Sequence, residues 1–128
     1  MNPSVLVSWG ELFDKITILE IKSERLSAEA ARTNVRRELE QLLPAAAEIE
    51  AKNPKLAFLK TALKRVNEKL WDIEDDIRAK EAAQSFDAEF VALARSVYHR
   101  NDERGRIKGE INAALNSDLT EEKQYTRY

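Results

Sequence analysis

Between positions 56 and 77 an apolar residue recurs at alternating spacings of three and four: Leu56, Leu59, Leu63, Val66, Leu70, Ile73 and Ile77. This is a heptad seam, and it constrains the fold more than any other feature of the chain. Such a seam needs a second helix laid along it to leave water. A partner follows closely. "SFD" at 85 to 87 reads as a turn, with Ser85 or Asp87 as a helix cap. The next helix carries Phe90, Leu93 and Val97 near its start and Ile107, Ile111 and Leu115 near its end. The two should form one long antiparallel hairpin. Only three glycines and three prolines occur in 128 residues, so long unbroken elements are expected.

Two further helices precede the hairpin. "SWGELFDKITILEIKSERL" opens with Ser8 and Glu11 at capping-box spacing, where each side chain caps the other residue's backbone N–H. At about 100° per residue, Trp9, Leu12, Phe13, Ile16, Leu19 and Leu26 share one face. Ile18 and Ile21 point to the far side. A helix apolar on two sides is buried on two sides, so this one is either central or a dimer contact. The second helix lies in "SAEAARTNVRRELEQLLPAAAEIEAK", capped by Ser27, with Val35, Leu39, Leu42, Leu43, Ala46 and Ile49 in one stripe. That stripe keeps phase across Pro44, which predicts a kinked helix or two short ones. Asn53 and Pro54 read as the N-cap and first residue of the third helix. The expected fold is all-α: an antiparallel four-helix bundle in a single domain, 1–128. The end, 117–128, reads as an irregular tail that Tyr125 and Tyr128 could dock.

Charge narrows the function classes. Lys and Arg number 21 and Asp and Glu 23, giving a net charge of −2 with both signs mixed. Nothing here argues for nucleic acid or an anionic membrane as partner. The absence of cysteine removes disulfide and thiolate chemistry. No apolar run approaches the roughly 20 residues that span a bilayer. "MNPSVLVSWGELF" lacks the basic and apolar regions of a signal peptide, so a cytoplasmic location is expected.

Helix 4 breaks its own apolar pattern. Between Val97 and Ile111, the core-facing positions are held by Arg100, Asn101, Arg104 and Lys108. Arg100, Arg104 and Lys108 are four apart and stack on one side. Buried cations need partners. If the hairpin turns near Phe86, equal rise along two antiparallel helices sets Arg100 opposite Asp72 and Arg104 opposite Glu68. One reading is a salt-bridge lattice, with Asn101 fixing register. The other is a pocket in which Arg100, Asn101, Arg104 and Lys108 bind a phosphorylated or carboxylated ligand.

Carboxylates offer a metal alternative. Glu11 with Asp14, and Asp72 with Asp75, are spaced i, i+3, as two ligands to Mg²⁺ would be. Asp76 flanks the same seam as Asp72, so Glu11, Asp14, Asp72 and Asp76 are the candidate metal residues. These pairs resemble the acidic motifs of the all-helical, Mg-dependent nucleotide pyrophosphohydrolases. Here the pairs stand further apart, and the second lacks that family's Glu. Otherwise no cofactor is implied. His99, the only histidine, projects away from the seam. Gly105 and Gly109, four apart, suggest close approach of another helix, from this chain or a second subunit. Trp71 lies off the helix 3 seam and either packs under a neighbouring helix or marks a protein-binding patch.

"GELFDKITILEIKSER", "LWDIEDDIRAKE", "LARSVYHRNDERGRIKGEIN" and "EEKQY" together resemble a family of short bacterial and phage proteins known only as a domain of unknown function. The resemblance runs over nearly the whole chain. It implies a free-standing small cytoplasmic protein and carries no functional residue with it. The expected role is a protein-interaction or scaffolding module, as a homodimer or with another protein. Ile18, Ile21, Trp71, Gly105 and Gly109 are its candidate interface residues. The alternative is a small enzyme or binder of an anionic ligand.

Overall fold

The computed structural model describes residues 1–128 as four α-helices: α1 Trp9–Arg25, α2 Glu29–Lys52, α3 Leu56–Ala82 and α4 Ala88–Ala114. There is no strand. α1 packs against all three other helices, and α3 and α4 form the expected hairpin. The two apolar sides of α1 therefore mean a central helix. Phe13, Ile16, Leu19 and Ile21 are all buried within the one chain.

The helix ends show which local signals acted. Ser8 caps α1, its Oγ accepting the Glu11 N–H at 3.1 Å. The other half of the capping box is not made, because the Glu11 carboxylate accepts from Lys108 instead, at 2.9 Å. α2 starts after Ala28 with no side-chain cap, so Ser27 does not cap it. Pro44 sits inside one continuous helix and not at a break between two. Asn53 closes α2 instead of opening α3. Its Nδ2 donates to the Ile49 carbonyl at 3.0 Å, and its own carbonyl accepts from Leu56 N–H at 3.0 Å. An Asn side chain bonded back to its own helix competes with a capping role, so α3 begins at Leu56.

The hairpin turn follows more standard chemistry. Gln84 adopts φ 54°, and Ser85 N–H and Gln84 N–H donate to the carbonyls of Lys80 and Glu81. This is a Schellman close for α3. Asn116, at φ 50°, closes α4 the same way. Asp87 then caps α4, its Oδ1 accepting the Phe90 N–H at 2.9 Å. That bond and the Lys80 ammonium hold the Asp87 carboxyl down at about 2.

The core lies at one end of the hairpin. Phe13, Ile16, Ala46, Leu56, Leu63, Val66, Ile107 and Ile111 make a single buried cluster. α2 contributes only Ala46 to it in full; Leu39, Leu42 and Ile49 pack at its edge, and Leu43 is 39% exposed. No residue between Asn67 and Ile107 is buried. Arg25, the last residue of α1, bonds Asp72. From that level to Ala82, α3 continues for about 15 Å at 1.5 Å per residue. The far half of the hairpin thus extends past α1 as a two-helix arm, its seam residues Leu70, Ile73, Ile77, Leu93 and Val97 half-buried. No helix is long and apolar enough to cross a membrane.

Candidate functional site

One face of α1, positions 10, 14 and 17, meets one face of α4, positions 104, 108 and 112. The close approach is made possible by Gly10. A Cβ built there would lie 2.5 Å from the Lys108 carbonyl oxygen. In its place, Gly10 N–H donates to Asn112 Oδ1 at 2.7 Å. With the backbones this near, Asp14 is carried inside at 1% exposure. Arg104 grips it from α4: Nε donates to Oδ1 at 2.9 Å, and Nη2 donates to Oδ2. Asn67 of α3 adds Nδ2 bonds to Asp14 Oδ1 at 3.0 Å and to Thr17 Oγ1 at 3.1 Å. Thr17 Oγ1 in turn donates to the Asp14 backbone carbonyl at 2.9 Å.

Lys108 sits one turn further along α4, its side chain 8% exposed. Glu11 and Glu121 accept from it at 2.9 and 2.8 Å, and Asp14 Oδ2 is 4.0 Å away. Burial alone would lower the Lys108 pKa; the bonds to Glu121 and Glu11 outweigh that and raise it. Arg104 is likewise raised, first by its bond to Asp14. Glu121 is lowered by the same ammonium. Both cations therefore stay charged, and each is matched by carboxylates of its own chain.

The sequence-predicted residues are distributed as follows. Arg104 and Lys108 join the buried network, but their partners come from α1 and the tail. Arg104 does not pair with Glu68. Arg100 pairs with Glu103 on its own helix at 2.9 Å, and Asp72 pairs with Arg25. Asn101 is only half-buried and meets Arg104 Nη1 at 3.5 Å. The buried amides are Asn67 and Asn112, which the seam pattern did not single out. Glu11 and Asp14 lie together on α1, whereas Asp72 and Asp76 are exposed on α3. No group of three or more His, Asp or Glu is placed to hold a metal ion. No helix approaches the other two glycines. A Cβ on Gly105 would touch the Lys123 side chain at 3.1 Å, and one on Gly109 would meet nothing within 4 Å. The helix-packing glycine is Gly10, whose signal lay in a capping stretch and not in a glycine pair.

A family model described as "Family of unknown function (DUF6165)" matches residues 3–128. The chain belongs to this family. No curated protein and no solved structure matches it.

Two surfaces of this DUF6165 chain remain after the polar network is accounted for. The first is the tail. Beyond α4 the chain forms no helix but turns back along it, held by Glu121 on Lys108 and by Tyr128 Oη donating to Asp102. The Tyr128 ring packs edge-on against Tyr98 and His99. Tyr128, and not Tyr125, is thus the docking residue, and His99 is part of its seat. The second surface is a groove of about 560 Å³ where the arm leaves the core. Ile18, Ile21, Leu70, Trp71 and Val97 supply its apolar lining, with Lys22, Glu74, Asp75 and Arg78 around them. Three of the residues expected at an interface, Ile18, Ile21 and Trp71, therefore meet at one place. Ile21 is its buried floor at 1% exposure, while Ile18 and Trp71 are half-buried.

Proposed function

We propose that the protein is an interaction module whose working element is the α3–α4 arm. The observation that carries this is the absence of any buried residue between Asn67 and Ile107, although that stretch contains three of the seven heptad seam residues, Leu70, Ile73 and Ile77. Two helices alone cover each other on one side only, and an apolar stripe left at the edge is completed by further helices. The arm carries exposed apolar groups at and near its tip: Phe86 is 55% exposed and Val91 53%. At its base lies the groove beside Trp71, a residue type that anchors protein contacts. The ligand-binding alternative lacks such support, since Arg100, Arg104 and Lys108 each bond an internal carboxylate.

A photo-crosslinking residue at Val91 tests this in living cells, with one at exposed Glu40 on α2 as control. The expected result is a discrete protein adduct from position 91 that is lost when Trp71→Ala is added. Equal or no adducts from the two positions would overturn the reading.

A further inference from the structure

We propose that the space between the tail and α4 is a binding site for a small quaternary or polyalkylated ammonium compound. The tail runs back along α4 and is fastened at two points, Glu121 on Lys108 and Tyr128 on Asp102. Between them it does not close on the helix. A cavity of about 620 Å³ lies there, within the size range of small-molecule sites. Ala94 and Val97 of α4 line it with aliphatic groups, and Tyr98, Tyr125 and Tyr128 supply three aromatic rings. It shares only Val97 and Asn101 with the groove at the base of the arm, so the site stands apart from the interaction reading.

Two features select the ligand. The first is the set of rings. Tyr98 and Tyr128 meet at 67° with centroids 5.1 Å apart, which makes two walls of a corner, and Tyr125 lines the same cavity. All three stay exposed, although a docked tail gains most by burying such rings. Ring faces carry negative potential, so several of them around one space favour a cation, as in aromatic cages for alkylated ammonium groups. The second feature is Asp102. The acids of the buried network each face a cation, Asp14 with Arg104, and Glu11 and Glu121 with Lys108. Asp102 lines the cavity and is bonded only by the neutral Tyr128 hydroxyl, which leaves its negative charge unmatched. Alkyl groups on the nitrogen matter because Ala94 and Val97 offer no acceptor to an N–H donor. The one base on the wall, Lys123, answers a different acid. Its Nζ lies 3.8 Å from Glu121 and against Gly105, about 10 Å along α4 from Tyr98 at 1.5 Å per residue.

The test is a calorimetric titration of the purified chain with choline. Choline should bind saturably. Its neutral isostere, the alcohol in which carbon replaces the nitrogen, should bind at least about tenfold more weakly, since the two differ in charge and not in shape. Tyr125→Leu keeps apolar bulk, removes one ring and touches neither fastening of the tail. It should weaken choline about fivefold, with the NMR shifts of the Tyr128 and Tyr98 rings unchanged, and Tyr125→Phe should restore the affinity. A peptide carrying trimethyllysine, titrated in parallel, separates the two sources of such a group. Tighter binding of that peptide than of choline would overturn a free compound as the ligand. No saturable binding of choline, equal binding of the alcohol, or full affinity in Tyr125→Leu would overturn the site.

Discussion

Arg104 holds Asp14 by two hydrogen bonds across 90 positions of sequence, and the carboxylate it holds is 2% exposed. The pair ties α4 to α1 at the point where the two backbones are closest. Arg104→Met alone would strand the Asp14 charge in the interior, at a cost of about 3 kcal/mol, the lower end of the range for a broken buried pair because Arg104 retains 29% exposure. Adding Asp14→Leu should recover most of that loss, less about 1 kcal/mol for the Asn67 amide, which loses one of its two acceptors and keeps Thr17. Denaturant unfolding of the single and double variants checks both figures. A double variant as unstable as the single would show that the network contributes more than this pair.

Gly10 and Gly109 lie on facing helices but should respond oppositely to alanine. At Gly10 the new methyl would meet the Lys108 carbonyl oxygen at 2.5 Å and its carbon at 3.1 Å, both backbone atoms that cannot turn aside. Gly10→Ala should therefore destabilise by about 1–3 kcal/mol, the usual cost of overpacking. At Gly109 nothing lies within 4 Å. Gly109→Ala should stabilise by up to about 1 kcal/mol through helix propensity. Thermal unfolding of the two variants suffices, and a stabilised Gly10→Ala would mean that α1 and α4 are not this close.

Most of the fold was legible because it is written in local periodicity. The heptad of Leu56 to Ile77, the Ser8 cap and the Asp87 cap all depend on neighbours within a turn or two. The failures share a cause. Asn53 and Glu11 were read by local rules but were drawn off by other partners, Asn53 by Ile49 and Glu11 by Lys108. The polar column on α4 was visible as a gap in the stripe, yet its partners were sought on the adjacent helix of the hairpin. Register arithmetic can match α3 with α4, joined by a short turn. It cannot say that α1 crosses the same face, because that depends on a glycine contact between positions 10 and 108. The arm was hidden for a similar reason. A heptad looks the same whether or not a third helix covers it.

The arm should also be visible in stability measurements on α3. Leu63 is fully buried in the core cluster, so Leu63→Ala should cost about 2–5 kcal/mol. Ile77 lies on the same seam four turns later but is only half-buried. Ile77→Ala should cost clearly less in the isolated chain, about 1 kcal/mol, by the smaller apolar area it removes. Backbone amide exchange should show the same gradient, with slow amides near Leu63 and faster ones beyond Ile73. Uniform protection along α3 in a dilute monomer would contradict an uncovered arm.

The tail should let go at both extremes of pH, for different reasons. Glu121 has its pKa lowered below the ordinary 4.5, first by its bond to Lys108. Its contribution is complete above 4.5 and disappears as pH falls through the lower folded value. Tyr128 behaves in the opposite sense. Donation to Asp102 raises its phenol from 10.0 to about 12, so that contact is complete below 10.0 and is lost as pH rises through about 12. Between these limits the Tyr128 ring stays against Tyr98 and His99. Proton NMR shifts of the three rings report its release directly. Glu121→Gln should remove the acid-induced step while leaving the alkaline one, and Asp102→Asn should bring the Tyr128 ionisation back towards 10.0. If neither substitution moves its own transition, the tail is not held by these two contacts.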